Sequence, residues 1–464
     1  MPLQGSERKK LARFHTSHGL LDYILEQSEL VDAVRRLEPL ALMRLIEHVG
    51  LEDAGELAAL ATTEQLERVF DEDLWKSERP GIDERFDAER FGLWICILVE
   101  QGVAFAARKL SEIDEDLVTL GLCRHLLVID IEQLAQRMTS EQRGIEDDQL
   151  DKVLESCLYH EFEQYRVISR DHATWDAILA WLVELNTHDY AALARLLDRC
   201  CDICSETIEE NGGLYQVLTS DEMLEADVAA EREGRREREG YVAPSAALSF
   251  LKLARLTSLE EIEADCERDP ITRAHFREAK SEPRPASRRS PGARGDAAQR
   301  RGLERLFDAL RAADVLPNAE RPRALSANTS GKAEMVLTSA LRAARERDGA
   351  LYATRALELA YLANVLLSGC GTRLRSLRPA EAAEAALAVC NLGAERALEQ
   401  ASKGYPKDTA ELLDFVRDSD LVKLFRVGFH LLCRKEPPAA VTTTPALKLL
   451  RSLMDLKDFL PMPV

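Results

Sequence analysis

The sequence predicts an all-α protein built as two helical units. Residues 1–278 read as a superhelical stack of short helices, 279–302 as a disordered Pro/Arg-rich linker, and 303–464 as a second helical bundle. Three observations lead there. Apolar residues recur at three- and four-residue steps almost throughout, as in Leu30, Val31, Val34, Leu37, Leu40, Leu42, Leu45 and Ile46 with charges between them, which lays one apolar stripe along a helix. Strand-like alternation bounded by turn pairs is scarce, while Ala, Leu, Glu and Arg, good helix formers, dominate. The stretch Ala279 to Gly302 holds three prolines, three glycines and six arginines with no aromatic or large aliphatic residue, so it cannot offset the entropy of ordering its backbone.

The elements are read in chain order. Gly50 stops one helix, Thr62-Thr63 can cap the next and Pro80-Gly81 can end that one. Residues 29–75 therefore read as three or four short helices, of a length that stands only by packing on neighbours. The stretch "VFDEDLWKSERPGIDERFDAERFGLWI", Val69 to Ile95, reads as the join between two helices: a solvated acidic end, Trp75 packed across the join as a surface anchor, and Asp87 capping the second helix. From Gly144 to Glu210 the pattern suggests two or three longer helices, the first running through "DDQLDKVLESCLYHEFEQYRVIS", with Asp171 and Thr187 or Asp189 placed to cap. The segment "SDEMLEADVAAEREGRREREGY" is so charged that it reads as a solvated helix or arm ending near Gly240. Ser258 with Glu261 forms a capping box, and Asp269-Pro270 a cap with proline in the first turn. Beyond the linker, "LERLFDALRAADVL", "ALYATRALELAYLANVLL", "AEAALAVCNLGAERALEQ" and "DLVKLFRVGFHLL" supply the second bundle.

Composition narrows the class. At 464 residues, 46% hydrophobic and 31% charged, the chain is that of a globular protein with more than one core. No run of eighteen apolar residues occurs, and "MPLQGSERKKLARF" has no apolar stretch behind it, so neither a membrane span nor a secretory signal is expected and the location reads as cytoplasmic. Met1 to Ala230 carries 48 acids against 22 bases, and the remainder 33 against 39. Phosphate repulsion opposes nucleic-acid binding by the acidic half, so any such role falls to the linker, through Arg288, Arg289 and their neighbours. No aromatic residue is interleaved there to stack bases.

The segment "LVDAVRRLEPLALMRLIEHVGLEDAGELAALATTEQLERVF" resembles the short-helix repeats of magnesium-transporter N-terminal domains and flagellar motor-switch proteins. The longer pattern, with "FDEDLW", "LGLCRHLLVID" and "EREGYVAPSAALSFLKLA", is similar to an uncharacterised bacterial family of all-helical proteins. That resemblance implies a helical fold and carries no catalytic residues with it.

Each candidate for chemistry has a structural counterpart. Asp71-Glu72-Asp73 could hold a cation or move protons, but on a helix Asp71 and Asp73 point about 200° apart. "HEFEQ", His160 to Gln164, lacks the second histidine of a zinc-protease helix. A helix brings Cys200 and Cys204, or Cys201 and Cys204, onto one face, where they could bind zinc with His160 or His188, or with His172; equally, helical cysteines serve as small core residues. "ANTSGKAE", Ala327 to Glu334, lacks the first glycine and the hydroxyl of a phosphate loop. No cofactor is implied. The leading expectation is a non-enzymatic interaction scaffold or regulator that binds a protein partner, with Trp75, Asp71, Asp73, Arg288 and Arg289 as contact candidates and Trp94, Trp175 and Trp181 as further aromatics that could face solvent. The alternatives are a metal protein using Cys200 to Cys204 and a nucleic-acid factor using the linker.

Overall fold

A computed structural model describes residues 17–77, 82–133, 157–204, 220–265, 267–281, 297–313, 315–316, 335–372, 375–401, 405–406 and 408–454. The chain is mostly helical, with small sheets. In order come α1 (Ser17–Leu25), α2 (Ser28–Val34), α3 (Pro39–Val49), α4 (Gly55–Leu60), α5 (Thr63–Asp73), β1 (Trp75–Lys76), β2 (Arg85–Phe86), α6 (Ala88–Glu100), α7 (Val103–Ser111), α8 (Glu115–His125), β3 (Leu126–Asp130), β4 (Tyr159–Phe162), β5 (Tyr165–Ser169), α9 (Trp175–His188), α10 (Tyr190–Cys204) and α11 (Ser220–Arg238). They are followed by α12 (Pro244–Leu256), α13 (Leu259–Ala264), α14 (Pro270–Ser281), α15 (Ala297–Ala312), α16 (Val336–Arg347), α17 (Gly349–Gly369), β6 (Gly371–Thr372), β7 (Arg375–Ser376), α18 (Pro379–Gln400), α19 (Thr409–Asp418), α20 (Leu421–Leu432), α21 (Ala439–Thr443) and α22 (Pro445–Met454).

Two compact units share these elements. The first takes α1 to α10, the start of α11, the five strands and α15; the second takes Ser77–Glu84, the end of α11, α12 to α14, and everything from α16 onward. This differs from the division by sequence order. The segment holding α15 joins the first unit because Leu306 and Leu310 are buried in the same core as Leu30 and Val34 of α2, while Arg305 of α15 donates to Gln27 (2.6 Å) and Glu29 (3.3 Å). The segment of α12 joins the second because Phe250 packs edge-on against Tyr361 of α17 and near Phe425 of α20. Linear order does not say which apolar stripes match.

In the first unit the short helices are set by local signals. Gly50 ends α3 at φ +98°, a left-handed value that glycine adopts at little cost. Thr62 and Gln65 form a capping box at the start of α5. The buried Gln65 amide then donates to the carbonyls of Val34 (3.0 Å) and Leu37 (2.8 Å), which close α2 and the turn after it, so one side chain serves two helix ends. Asp87 caps α6 through the Arg90 amide, and Asp189 accepts from the Ala192 amide at the start of α10.

One expected helix is replaced by strands. Tyr159 to Ser169 forms a hairpin whose second strand also pairs with β3, giving an antiparallel sheet of order β3-β5-β4. Its register sets Phe162 opposite Tyr165 and His160 opposite Val167. Glu163 makes the turn at φ +46°. Tyr, Phe, Val and Ile suit a half-buried pleat, and β3 lends the third strand that an isolated hairpin needs.

In the second unit α18 and α20 lie against one another, with α16, α17, α12 and α22 packed around them. Ser258 and Glu261 form a capping box on α13, and Asp269 accepts from the Thr272 amide (2.9 Å) at the start of α14. The charged segment is a helix, α11, but its second-unit end is not solvated. Arg232 and Arg236 are buried there, both reaching Glu84 (2.6 and 2.8 Å), and the Arg236 guanidinium lies 3.6 Å from the Tyr241 ring centroid. Among the described residues no helix is long and apolar enough to cross a membrane.

Candidate functional site

The residues singled out by sequence are mostly committed to the fold. Asp73 accepts from Arg90 Nε (2.7 Å) and Nη2 (2.9 Å) and from Trp94 Nε1 (2.7 Å). Asp71 is buried beside Arg68, 3.4 Å away. The acidic helix end is therefore an internal pairing site, not a solvated face: α5 closes onto α6 through it. Replacing Asp73 with alanine leaves a guanidinium and an indole N–H without their acceptor, and should lower the stability of the first unit by about 2 kcal/mol. Urea unfolding followed by tryptophan emission measures this, since Trp94 and the other three tryptophans all belong to the first unit.

Trp75 is only 6% exposed, set edge-on to Phe86 at 5.7 Å. It packs across the join, so the expected surface anchor is a core residue. Trp94, Trp175 and Trp181 are buried as well. Cys200 and Cys201 lie in the first unit's core; the side chain of Cys204 lies outside the described residues. His160 sits on β4 against Phe162 (4.6 Å), and His188 is exposed beside Glu184 (3.3 Å). These groups are not brought together: among the described residues, no set of three His, Cys, Asp or Glu side chains is placed to hold a metal ion. Arg288, Arg289 and Ala327 to Glu334 lie outside the described residues.

A cleft of about 500 Å³ in the second unit, within the volume range of small-ligand sites, could take a ligand. Val336 of α16, Asn391, Leu392 and Glu395 of α18, Tyr405 and Leu447 of α22 line it. Its construction starts at the N-terminus of α16. The capping position there is Met335, whose side chain makes no capping hydrogen bond, so a first-turn N–H needs a partner from elsewhere. Asn391, 5% exposed within the run "ALAVCNLGA", supplies it: its Oδ1 accepts from the Leu337 amide at 3.1 Å. With the oxygen so used, the amide nitrogen is aimed along α18, where Nδ2 donates to Glu395 Oε1 at 2.8 Å, one turn on.

Glu395 is thereby held in one place at the wall of the cleft. Burial pushes its carboxyl above the usual range, the Asn391 hydrogen bond acts against that rise, and Glu399 adds to it. Among the described residues, no lysine, arginine or histidine lines the cleft. Arg396, the neighbour in sequence, is directed to Glu263 at 3.4 Å. Tyr405 stands 59% exposed at the rim, its phenol raised by burial, with Glu395 and Glu399 adding to the shift. On the far wall Thr443 Oγ1 donates to the Ala440 carbonyl at 3.2 Å, so its lone pairs are what it can offer a ligand.

Sequence reasoning passed over Asn391, Glu395 and Tyr405. A signal existed: one amide inside an unbroken apolar run, with a carboxylate four residues later.

Residues 3–212 match a family of unknown function (DUF6178). No curated protein and no solved structure matches the chain. The cleft residues lie beyond the matched segment.

Proposed function

We propose that the protein is a non-enzymatic interaction protein, and that the cleft of its second unit holds a segment of a partner protein. The supporting observation is the pairing of apolar walls with a pre-oriented carboxylate. Val336, Leu392 and Leu447, themselves nearly buried, form the apolar wall of the cleft, and the Leu337, Asn391 and Glu395 chain fixes one polar group beside it. Apolar contact supplies affinity and one fixed polar group supplies orientation, the division of labour common at binding sites. Tyr405 at the rim is the type of residue that contributes heavily when covered.

A photocrosslinking residue in place of Tyr405 tests this in the full chain. Benzoylphenylalanine at position 405, irradiated in the cells that make the protein, should give one discrete protein adduct. The same residue at exposed Leu40 of the first unit serves as the reference. If position 405 yields no adduct beyond the background seen from position 40, the cleft is not a partner site.

A further inference from the structure

We infer that the partner presents a lysine side chain to this cleft, its ammonium seated against Glu395 and its methylene stem along Val336, Leu392 and Leu447. The inference rests on the reading of the cleft as a partner site and adds the chemistry of what enters it. Three groups on the described lining can receive a donor or a cation. Glu395 is a carboxylate with Oε1 accepting from Asn391 and Oε2 left over, Thr443 has its proton directed to backbone carbonyls, and Tyr405 lines the same space with a ring of the kind that can take a cation on its face. A group with several N–H donors and a positive charge fits all three. An anion would meet a carboxylate with no cation among the described lining residues to offset it.

The choice of lysine over arginine comes from the same geometry. Guanidinium binds carboxylate best through two parallel N–H bonds that need both oxygens. Here Oε1 already accepts from the Asn391 amide, so a guanidinium fork would have to share that oxygen. A compact ammonium needs only the other, and its third donor can reach a hydroxyl. The apolar walls then cover the four-carbon stem, as long basic side chains commonly pack on apolar surface.

The probe is hexylammonium, which carries the charge and the stem alone, compared with hexylguanidinium and hexanoate by ligand-observed NMR on the full chain. Hexylammonium should bind more tightly than hexylguanidinium, and hexanoate should not bind. Glu395→Gln keeps the size and the Asn391 contact but removes the charge; it should weaken hexylammonium about tenfold or more, as expected when a hydrogen bond to a charged group is lost, with the helical circular dichroism unchanged. Asn391→Leu, which frees the carboxylate to turn, should narrow the preference for hexylammonium over hexylguanidinium. Equal binding of hexanoate, or a Glu395→Gln protein that holds hexylammonium as well as the parent, overturns the inference.

The two readings fail separately. If the adduct at position 405 forms but neither hexylammonium nor Glu395→Gln diminishes it, the lysine is wrong and the partner site stands. If hexylammonium binds and needs Glu395 but no adduct forms, the cation chemistry stands and the partner protein is wrong.

Discussion

Gly428→Leu should prevent the second unit from folding, and Gly428→Ala should already cost it about 2 kcal/mol. At this position on α20 an added Cβ would lie 1.9 Å from the Val389 carbonyl oxygen of α18; at Gly393 of α18 it would lie 2.0 Å from the Leu424 carbonyl oxygen of α20. Both obstacles are backbone, so no rotamer change relieves them, and the helices must part. Parting them opens the layer that Val389, Cys390, Phe425 and Phe429 fill. Overpacking of this kind costs about 3 kcal/mol at the upper end of the usual range, from which the better helix propensity of alanine returns about 1 kcal/mol. Gly234→Ala, within α11 and with nothing within 4 Å of its Cβ, isolates that propensity gain and should stabilise. All four tryptophans, at 75, 94, 175 and 181, belong to the first unit. Urea unfolding should therefore show the Gly428 effect in far-ultraviolet circular dichroism, with tryptophan emission as the reference for the other unit. A Gly428→Ala protein as stable as the parent would mean that these helices do not approach this closely.

The parts of the fold that were legible in the sequence are those set within a few residues. Thr62 with Gln65, Asp87, Ser258 with Glu261 and Gly50 each act on the backbone next to them, and each sits at the helix end that its chemistry requires. What sequence order could not supply was the pairing of distant surfaces. The stripe of Leu306 and Leu310 serves either bundle equally well until α2 is seen beneath it, and Tyr159 to Ser169 reads as a helix until β3 is there to pair with β5. The candidate site was hidden for a related reason. Sequence inspection favours groups crowded together along the chain, such as Asp71 to Asp73 or Cys200 to Cys204. A dense local cluster can equally be used up internally: Asp73 by Arg90 and Trp94, Cys200 and Cys201 by the core. The cleft draws instead on Val336, Asn391, Tyr405 and Thr443, separated by loops that no local pattern bridges.

Glu358→Leu should destabilise the second unit by about 3 kcal/mol, the range expected when one member of a buried ion pair is removed. Glu358 lies buried in α17 and accepts from Arg355 Nη1 with both oxygens (2.8 and 2.9 Å), from Arg268, and from the Leu421 amide (3.4 Å) at the start of α20. Three helices, α17, α19 and α20, and the segment before α14 thus meet at one carboxylate, since Arg355 also donates to the carbonyls of Val416 and Arg417 at the end of α19 (3.0 Å each). Removing the carboxylate does not affect the two arginines alike. Arg268 keeps Asp420, 2.7 Å away, whereas Arg355, largely shielded from water, keeps only carbonyl acceptors for a full charge. The cost should then come mainly from the stranded Arg355, and removing that charge too should return part of it. The double variant Glu358→Leu/Arg355→Met is accordingly expected to lose less than the two single losses added together, by about 1 kcal/mol or more on the scale of about 0.5–3 kcal/mol that contacting residues show. Strict additivity in the urea transitions would mean that the pair carries no coupling, and that Glu358 holds α17 and α20 through Arg268 and the Leu421 amide instead.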